Sequence, residues 1–261
     1  MNKYLENYNE ISEDVKFVSN SIIRLKVLNA LYEKPSNMKE LARDTKLGYS
    51  SISGVLHGLE LKDMVFRKAN KYYLANLLKL QVKNILEFSV TVNLLDEIFN
   101  IIEDHVINRI PKRSVEEMYL LGASQLLESD CVDMDRIFNF IDETLTLADS
   151  ARCILPIYHE NINSKLNDLI EQGKFVEIKA SMSVFDVYEN NSKANNLSAF
   201  KAENNFLLIV TNEKMLFGLF RKNGFFDQNR LLISESQDSL KWANNLFLYF
   251  KKRINEFETH L

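Results

Sequence analysis

Two cysteines among 261 residues are too few to staple a fold. Cys131 and Cys153 have no CxxC spacing, so they read as reduced thiols and not as a disulfide framework or a metal site. Three prolines and seven glycines leave little room for low-complexity or collagen-like chain. No apolar run approaches the roughly 20 residues needed to cross a bilayer. Met1 to Asn7 lack the apolar core of a secretory signal. The expectation is a cytoplasmic protein with no membrane contact. The four histidines are scattered, and P-loop, GxGxxG and HExxH spacings are all missing. No cofactor, metal or catalytic residue is therefore expected. What remains is an ordinary globular composition, 46% apolar and 26% charged, with length for about two domains.

Charge is unevenly placed. Asn20 to Ala75 holds ten Lys/Arg against five Asp/Glu, a net of +5, whereas the whole chain is −4, which leaves −9 for the remainder. An acidic protein with one basic segment presents a polyanion with a single favourable face; the alternative is a solvated surface that is merely basic.

The same segment has a pattern. Ile22, Ile23, Val27, Leu28 and Leu31 recur at helical spacing over Asn20 to Glu33, with Arg24, Lys26 and Asn29 outside. Pro35 ends that helix, and Ser36 or Asn37 caps a second, in which Met38, Leu41 and Ala42 face inward and Lys39 and Arg43 outward. Lys46-Leu47-Gly48-Tyr49 is a tight turn. A third helix over Ser50–Lys62 places Ile52, Val55, Leu56 and Leu59 on one stripe, leaving Ser50, Ser51, Ser53, Gly54 and His57 on open faces. Met64 to Leu74 then forms two short strands around the basic turn Arg67, Lys68, Asn70 and Lys71, with Tyr73 directed to the core. Helix, turn, helix and basic hairpin make a winged helix-turn-helix, a reader of double-stranded DNA. The candidate DNA contacts are Lys39, Arg43, Lys46, Tyr49, Ser50, Ser51, Ser53, Gly54, His57, Arg67, Lys68, Asn70 and Lys71. Gly54 and Gly58 each cost a helix about 1 kcal/mol relative to Ala. Close approach to DNA accounts for Gly54, and packing on a neighbouring helix for Gly58. His57 is equally readable as a DNA contact or a solvated side chain.

From Asn76 to Ile110 apolar residues are too many for one amphipathic face: Leu77, Leu80, Val82, Ile85, Phe88, Val92, Leu95, Ile98, Phe99 and Ile101 among them. That surface is buried either in a homodimer or against the chain's own C-terminal part. The resulting division is 1–75 for the DNA reader, 76–112 for a helical linker and dimerisation segment, and 113–261 for a C-terminal domain.

Beyond Pro111, strands and helices alternate. Strands are expected at Met118–Leu121, Arg152–Leu155, Phe175–Ala180, Asn205–Val210 and Met215–Phe220, the last two joined by a Thr211–Lys214 turn. Helices are expected at Met134–Leu147, at Asn163–Gln172 with Gly173 as stop, and at Ser236–Phe257 with Leu240, Ala243, Leu246, Phe247, Phe250 and Ile254 buried. Ser181 to Asn204 reads as a polar loop with a short helix, in the position of a lid. Together these give an α/β sheet covered on both faces.

Several segments in this order carry a resemblance: Arg152-Cys-Ile-Leu-Pro-Ile-Tyr-His159, Leu166 to Ile178, Leu208 to Glu213, Gly218-Leu-Phe220, Gly224-Phe-Phe-Asp227 and Ser239 to Phe247. From about Ser19 to Phe257 the chain resembles archaeal winged-helix regulators akin to the methanogenesis and filamentation regulator of methanogens. The resemblance implies a transcription regulator whose C-terminal domain is similar to half of a phospholipase-D-like fold, as in the broader sugar-responsive archaeal regulators. Arg221-Lys222 stand where those relatives tend to carry an acidic residue after Gly-Leu-Phe.

Phospholipase-D chemistry needs a His nucleophile with a Lys two residues on, in two copies; His159 is followed by Glu160-Asn161, and His105 and His260 are isolated. An enzyme is not expected. Two functions stay open. One is a sequence-specific regulator whose C-terminal domain senses a small-molecule effector at Arg152, His159, Thr211, Phe220 and Arg221. The other is a non-sensing, chromatin-like DNA-binding protein whose C-terminal domain serves oligomerisation alone. A polar pocket favours the first and a filled apolar interior the second.

Overall fold

The computed structural model describes residues 16–97, 99–200 and 206–258. Ile98, Asn205 and His260 lie outside the described residues, as do the side chains of Leu77, Leu80, Phe99, Ile101, Ile254 and Phe257. The chain divides into two compact units, Met1–Ser89 and Val90–Leu261. The division falls inside the segment expected to be a single linker.

In the first unit, α1 (Ile22–Glu33) starts at Ser21, whose hydroxyl accepts from the Arg24 amide at 3.3 Å. Val27, Leu28 and Leu31 are buried, but Ile22 is 68% exposed in the first turn, against expectation. Arg24 is not a surface residue either. Its guanidinium lies 3.8 Å from the centre of the Phe17 ring, and burial lowers its pKa. α2 (Met38–Thr45) begins with a reciprocal capping box: the Asn37 side chain accepts from the Glu40 amide at 3.0 Å and the Glu40 carboxylate accepts from the Asn37 amide at 2.8 Å. α3 (Tyr49–Glu60) follows a three-residue turn and buries Ile52, Leu56 and Leu59. β1 (Val65–Lys68) and β2 (Lys71–Leu74) pair antiparallel, with Lys68 opposite Lys71 across a two-residue turn. Ala69 and Asn70 both have positive φ, 48° and 61°, as a primed hairpin turn requires. Ser36 and Tyr72 exchange both backbone bonds, tying the hairpin to the start of α2. α4 (Asn76–Glu97) adds Leu78 and Val82 to this core.

Tyr73 corrects the expectation for the hairpin. Side chains alternate along a strand, so Leu74 and Tyr72 turn inward. Tyr73 instead stacks on Phe66 outside, with centroids 5.4 Å apart and planes 12° apart.

The second unit holds α5 (Phe99–Asp104), α6 (Lys112–Glu116), β3 (Gln125–Glu128), α7 (Arg136–Leu147), β4 (Ser150–Leu155), α8 (Glu160–Glu171), β5 (Phe175–Ser181), α9 (Met182–Asn191), β6 (Leu197–Phe200), β7 (Leu207–Thr211), β8 (Met215–Gly218), β9 (Arg230–Ser234) and α10 (Gln237–Glu258). The sheet runs β3-β9-β8-β7-β4-β5-β6. Only β4–β5 and β5–β6 are parallel, so the sheet is mixed and the fold α+β, not the expected α/β. Alternation sends Leu208 and Val210 to one face, where Trp242, Leu246 and Phe247 of α10 cover them. Leu207 and Ile209 go to the other, under Ile137 and Ile141 of α7 and Leu166 of α8. Both faces are covered, so the central strands are buried at every position.

Met118–Leu121 is a 3-10 turn and not a strand. Four apolar residues carry no decisive period, and here they pack on α10. The stretch read as a loop with a short helix holds a helix, α9, and also the strand β6, which was not expected.

Candidate nucleic-acid interface

α3 owes its inward stripe to Ile52, Leu56 and Leu59, which leaves its other faces to small residues. Tyr49, Ser50, Ser51, Ser53, Gly54 and His57 are all exposed. A Cβ on Gly54 would meet nothing within 4 Å, so the protein itself does not require glycine there. At Gly58 an added Cβ would meet the Phe17 ring at 3.6 Å, an ordinary contact, so packing does not demand glycine at that position either. The helix begins at Gly48, which has no side chain to cap it, so its first amides remain available to an outside acceptor.

Cations stand on the two elements that pack against this helix, α2 and the β1–β2 hairpin. Lys39 and Arg43 are exposed on α2, and Lys46 is exposed in a left-handed conformation, φ 57°, at the end of α2. Arg43 is engaged by Asp44 at 2.8 Å; Arg43, then Lys34, holds the Asp44 carboxyl below the usual carboxylate range. Lys71 lies 3.9 Å from Glu40 and is half-buried. On the hairpin, Arg67, Lys68 and Asn70 are exposed. The Arg67 guanidinium donates to Asn70 Oδ1 and lies 5.6 Å from the Tyr72 ring centre. Thus the thirteen residues expected to meet DNA are on the surface of one unit, apart from the half-buried Lys71.

The five residues expected to form an effector crevice do not surround one space. Thr211 pairs with Ala151 and Arg152 with Val210, at the amino end of β4. The chain reverses at the next turn, so Gly218 pairs with Leu207 at the far end of β7, and Phe220 and Arg221 follow it. His159 follows the carboxyl end of β4. Arg152 is drawn to α10, donating to Asn244 Oδ1 at 2.8 Å. The Thr211 hydroxyl accepts from the Lys214 amide at 2.9 Å within its own turn. Phe220 is buried edge-on to Phe226. His159 stacks on Phe138 with centroids 4.1 Å apart; burial lowers its pKa and its Nδ1 is covered without a partner.

His105, read as isolated, is instead part of a buried group. Its Nε2 is 2.8 Å from Asp227 Oδ2, and the other carboxylate oxygen accepts from Arg221 Nη2 at 2.8 Å and from the Asn229 amide at 3.0 Å. Burial pushes the Asp227 pKa up, but Arg221, the Asn229 amide and His105 together hold it below the usual range. The backbone reinforces the joint, with the Val106 amide donating to Phe220 O at 2.7 Å. His105, Phe217, Arg230 and Trp242 border a cavity of about 20 Å³, room for one water.

The chain matches two models of one family: the N-terminal domain of methanogenesis regulatory protein FilR1 over residues 12–93, and its middle domain over 134–253. No curated protein matches it. Among solved structures it is similar to TrmBL2, an archaeal chromatin protein described as showing a novel mode of DNA binding, at 15% identity over 98% of this chain and 96% of that one, TM-score 0.34. An O-methyltransferase family protein from Burkholderia thailandensis aligns at 9% identity over 77% and 64% of the two chains, TM-score 0.27. Human N-acetylserotonin methyltransferase aligns at 10% over 77% and 65%, TM-score 0.23. The chain therefore spans just under two thirds of either methyltransferase. Likenesses this weak carry neither an activity nor a ligand to this chain.

Proposed function

The chain belongs to the family of the methanogenesis regulatory protein FilR1, and from that premise we propose that it is a sequence-selective, DNA-binding transcriptional regulator acting in the cytoplasm. In this reading residues 1–75 are a winged helix-turn-helix. α3 enters the major groove, the β1–β2 hairpin is the wing, and the neighbouring lysines and Arg43 meet phosphates. The observation that carries it is the exposed small-residue face of α3, together with exposed Lys39, Arg43 and Lys46 on or after α2 and exposed Arg67 and Lys68 on the hairpin, the two elements packed against it.

Residues 76–112 then serve as linker and homodimer contact. On α4, Phe88 is 67% exposed and Val92, one turn on along the same face, is exposed too, an apolar surface that a second copy would cover. Residues 113–261 serve assembly in preference to effector sensing, because the five crevice candidates are dispersed and two filled apolar cores occupy the unit. No step of catalysis is assigned to it.

Counterion release gives the test. Each phosphate contact contributes about −0.9 to the slope of log affinity against log salt. The variant Lys39→Ala/Lys46→Ala/Lys68→Ala in the full chain is expected to bind all duplexes more weakly and to lose about 2 to 3 units of slope. Unchanged affinity and slope would sink the interface.

A further inference from the structure

α3 lacks the side chains that normally tell base pairs apart in the major groove. Its sequence, Tyr49 to Glu60, contains no Arg, Lys, Asn or Gln. Arg and Lys grip guanine O6 and N7, and Asn and Gln grip adenine N6 and N7; without them the open faces are left with Tyr49, Ser and His, which bond to several bases alike, while the one acid, Glu60, is half-buried at the last position of the helix. The open face at Ser50, Ser53 and Gly54 permits close approach with little discrimination.

The discriminating group must then lie elsewhere on the unit, and its three arginines differ sharply. Arg24 is turned against Phe17 and Arg43 is engaged by Asp44. Arg67 has no carboxylate partner among the described residues. It stands exposed beside the hairpin tip, steadied by Asn70 Oδ1 and the Tyr72 ring. Those two neutral partners order the planar fork while leaving its charge and remaining N–H groups available, so little side-chain freedom is lost on binding.

On the DNA-binding reading above, we propose that Arg67 is the specificity-determining residue: it enters the minor groove beside the α3 contact and selects A·T-rich duplex. A·T-rich tracts have a narrow minor groove with enhanced negative potential, and G·C pairs obstruct that groove with the guanine N2 amino group. A weakly hydrated guanidinium suits such a groove better than an ammonium does.

Duplexes in which I·C pairs replace A·T separate the two grooves. Inosine lacks the N2 amino group, so I·C resembles A·T in the minor groove and G·C in the major groove. With the full chain, A·T and I·C duplexes of equal length are expected to bind about tenfold more tightly than the G·C duplex, the scale of a specific base-pair preference. Arg67→Lys keeps the charge, so its salt slope should match the parent's while the tenfold preference shrinks to about twofold or less. The inference is overturned if I·C follows G·C, if Arg67→Lys retains the preference, or if all three duplexes bind equally. Binding to none of them would remove the DNA-binding reading together with it.

Discussion

Ala69 occupies a place where an L-residue other than glycine or asparagine is strained. Its φ of 48° is the left-handed region, which costs an ordinary side chain roughly 1–2 kcal/mol. The turn type is dictated by the two-residue link between Lys68 and Lys71, because only a primed turn matches the twist of the strands. Asn70, at 61°, tolerates that region and also holds Arg67. Ala69→Asn is therefore expected to raise stability by about 0.5–1 kcal/mol while leaving DNA affinity unchanged. Urea unfolding of the full chain, read through the N-terminal unit, measures this, and a destabilised variant would show that something other than the turn sets the conformation. The same strand argument accounts for Tyr73: one position along the hairpin decides between the core and the outer stack with Phe66.

At the scale of elements, the joint after α5 is a second consequence of chain reversal. Asp227 is 1% exposed and satisfied by Arg221, His105 and the Asn229 amide, so removing its charge leaves the partly exposed Arg221 guanidinium and the buried His105 ring without their carboxylate. Asp227→Asn should cost about 1–3 kcal/mol in unfolding free energy, the range for a buried polar group that loses its partner. Since its folded pKa lies below the ordinary value, the carboxylate contributes fully above about pH 4 and that contribution is lost as pH falls through the folded value. The parent's stability should accordingly drop in the acid limb, and the variant's should drop less; equal acid sensitivity of the two would dissociate Asp227 from it. None of this joint was legible in the sequence, because His105 and Asp227 are 122 positions apart and only the sheet's pairing joins them. By contrast α2, the turn, α3 and the hairpin were legible, since local period and capping residues determine them. The short strands β3, β6 and β9 were not read, and Met118–Leu121 was misread, because runs of four or five residues take their conformation from neighbours. The placement of the five effector candidates was not legible for the same reason: which strand ends meet depends on whether neighbours run parallel or antiparallel.

For the whole molecule, the division of charge decides how it meets DNA. The basic segment of +5 belongs to a chain whose remainder is −9, so net charge favours approach of a duplex at the reader over the rest of the chain. One such reader, with about five phosphate-directed cations and no bidentate base contact on α3, is a weak binder by itself. Two readers joined by a homodimer contact at Phe88 and Val92 would convert the second contact into an intramolecular one, which gains about 100-fold or more when both half-sites are in reach. The operators expected are inverted repeats with half-sites about one helical turn apart. Light scattering should give a dimer for the parent, and Phe88→Asp/Val92→Asp should give a folded monomer. That variant should bind a two-half-site duplex about 100-fold more weakly, no better than it binds one half-site. A parent that is monomeric at working concentration, or a monomeric variant that keeps full affinity for the paired site, would show that the exposed face of α4 has another purpose and that each reader acts alone.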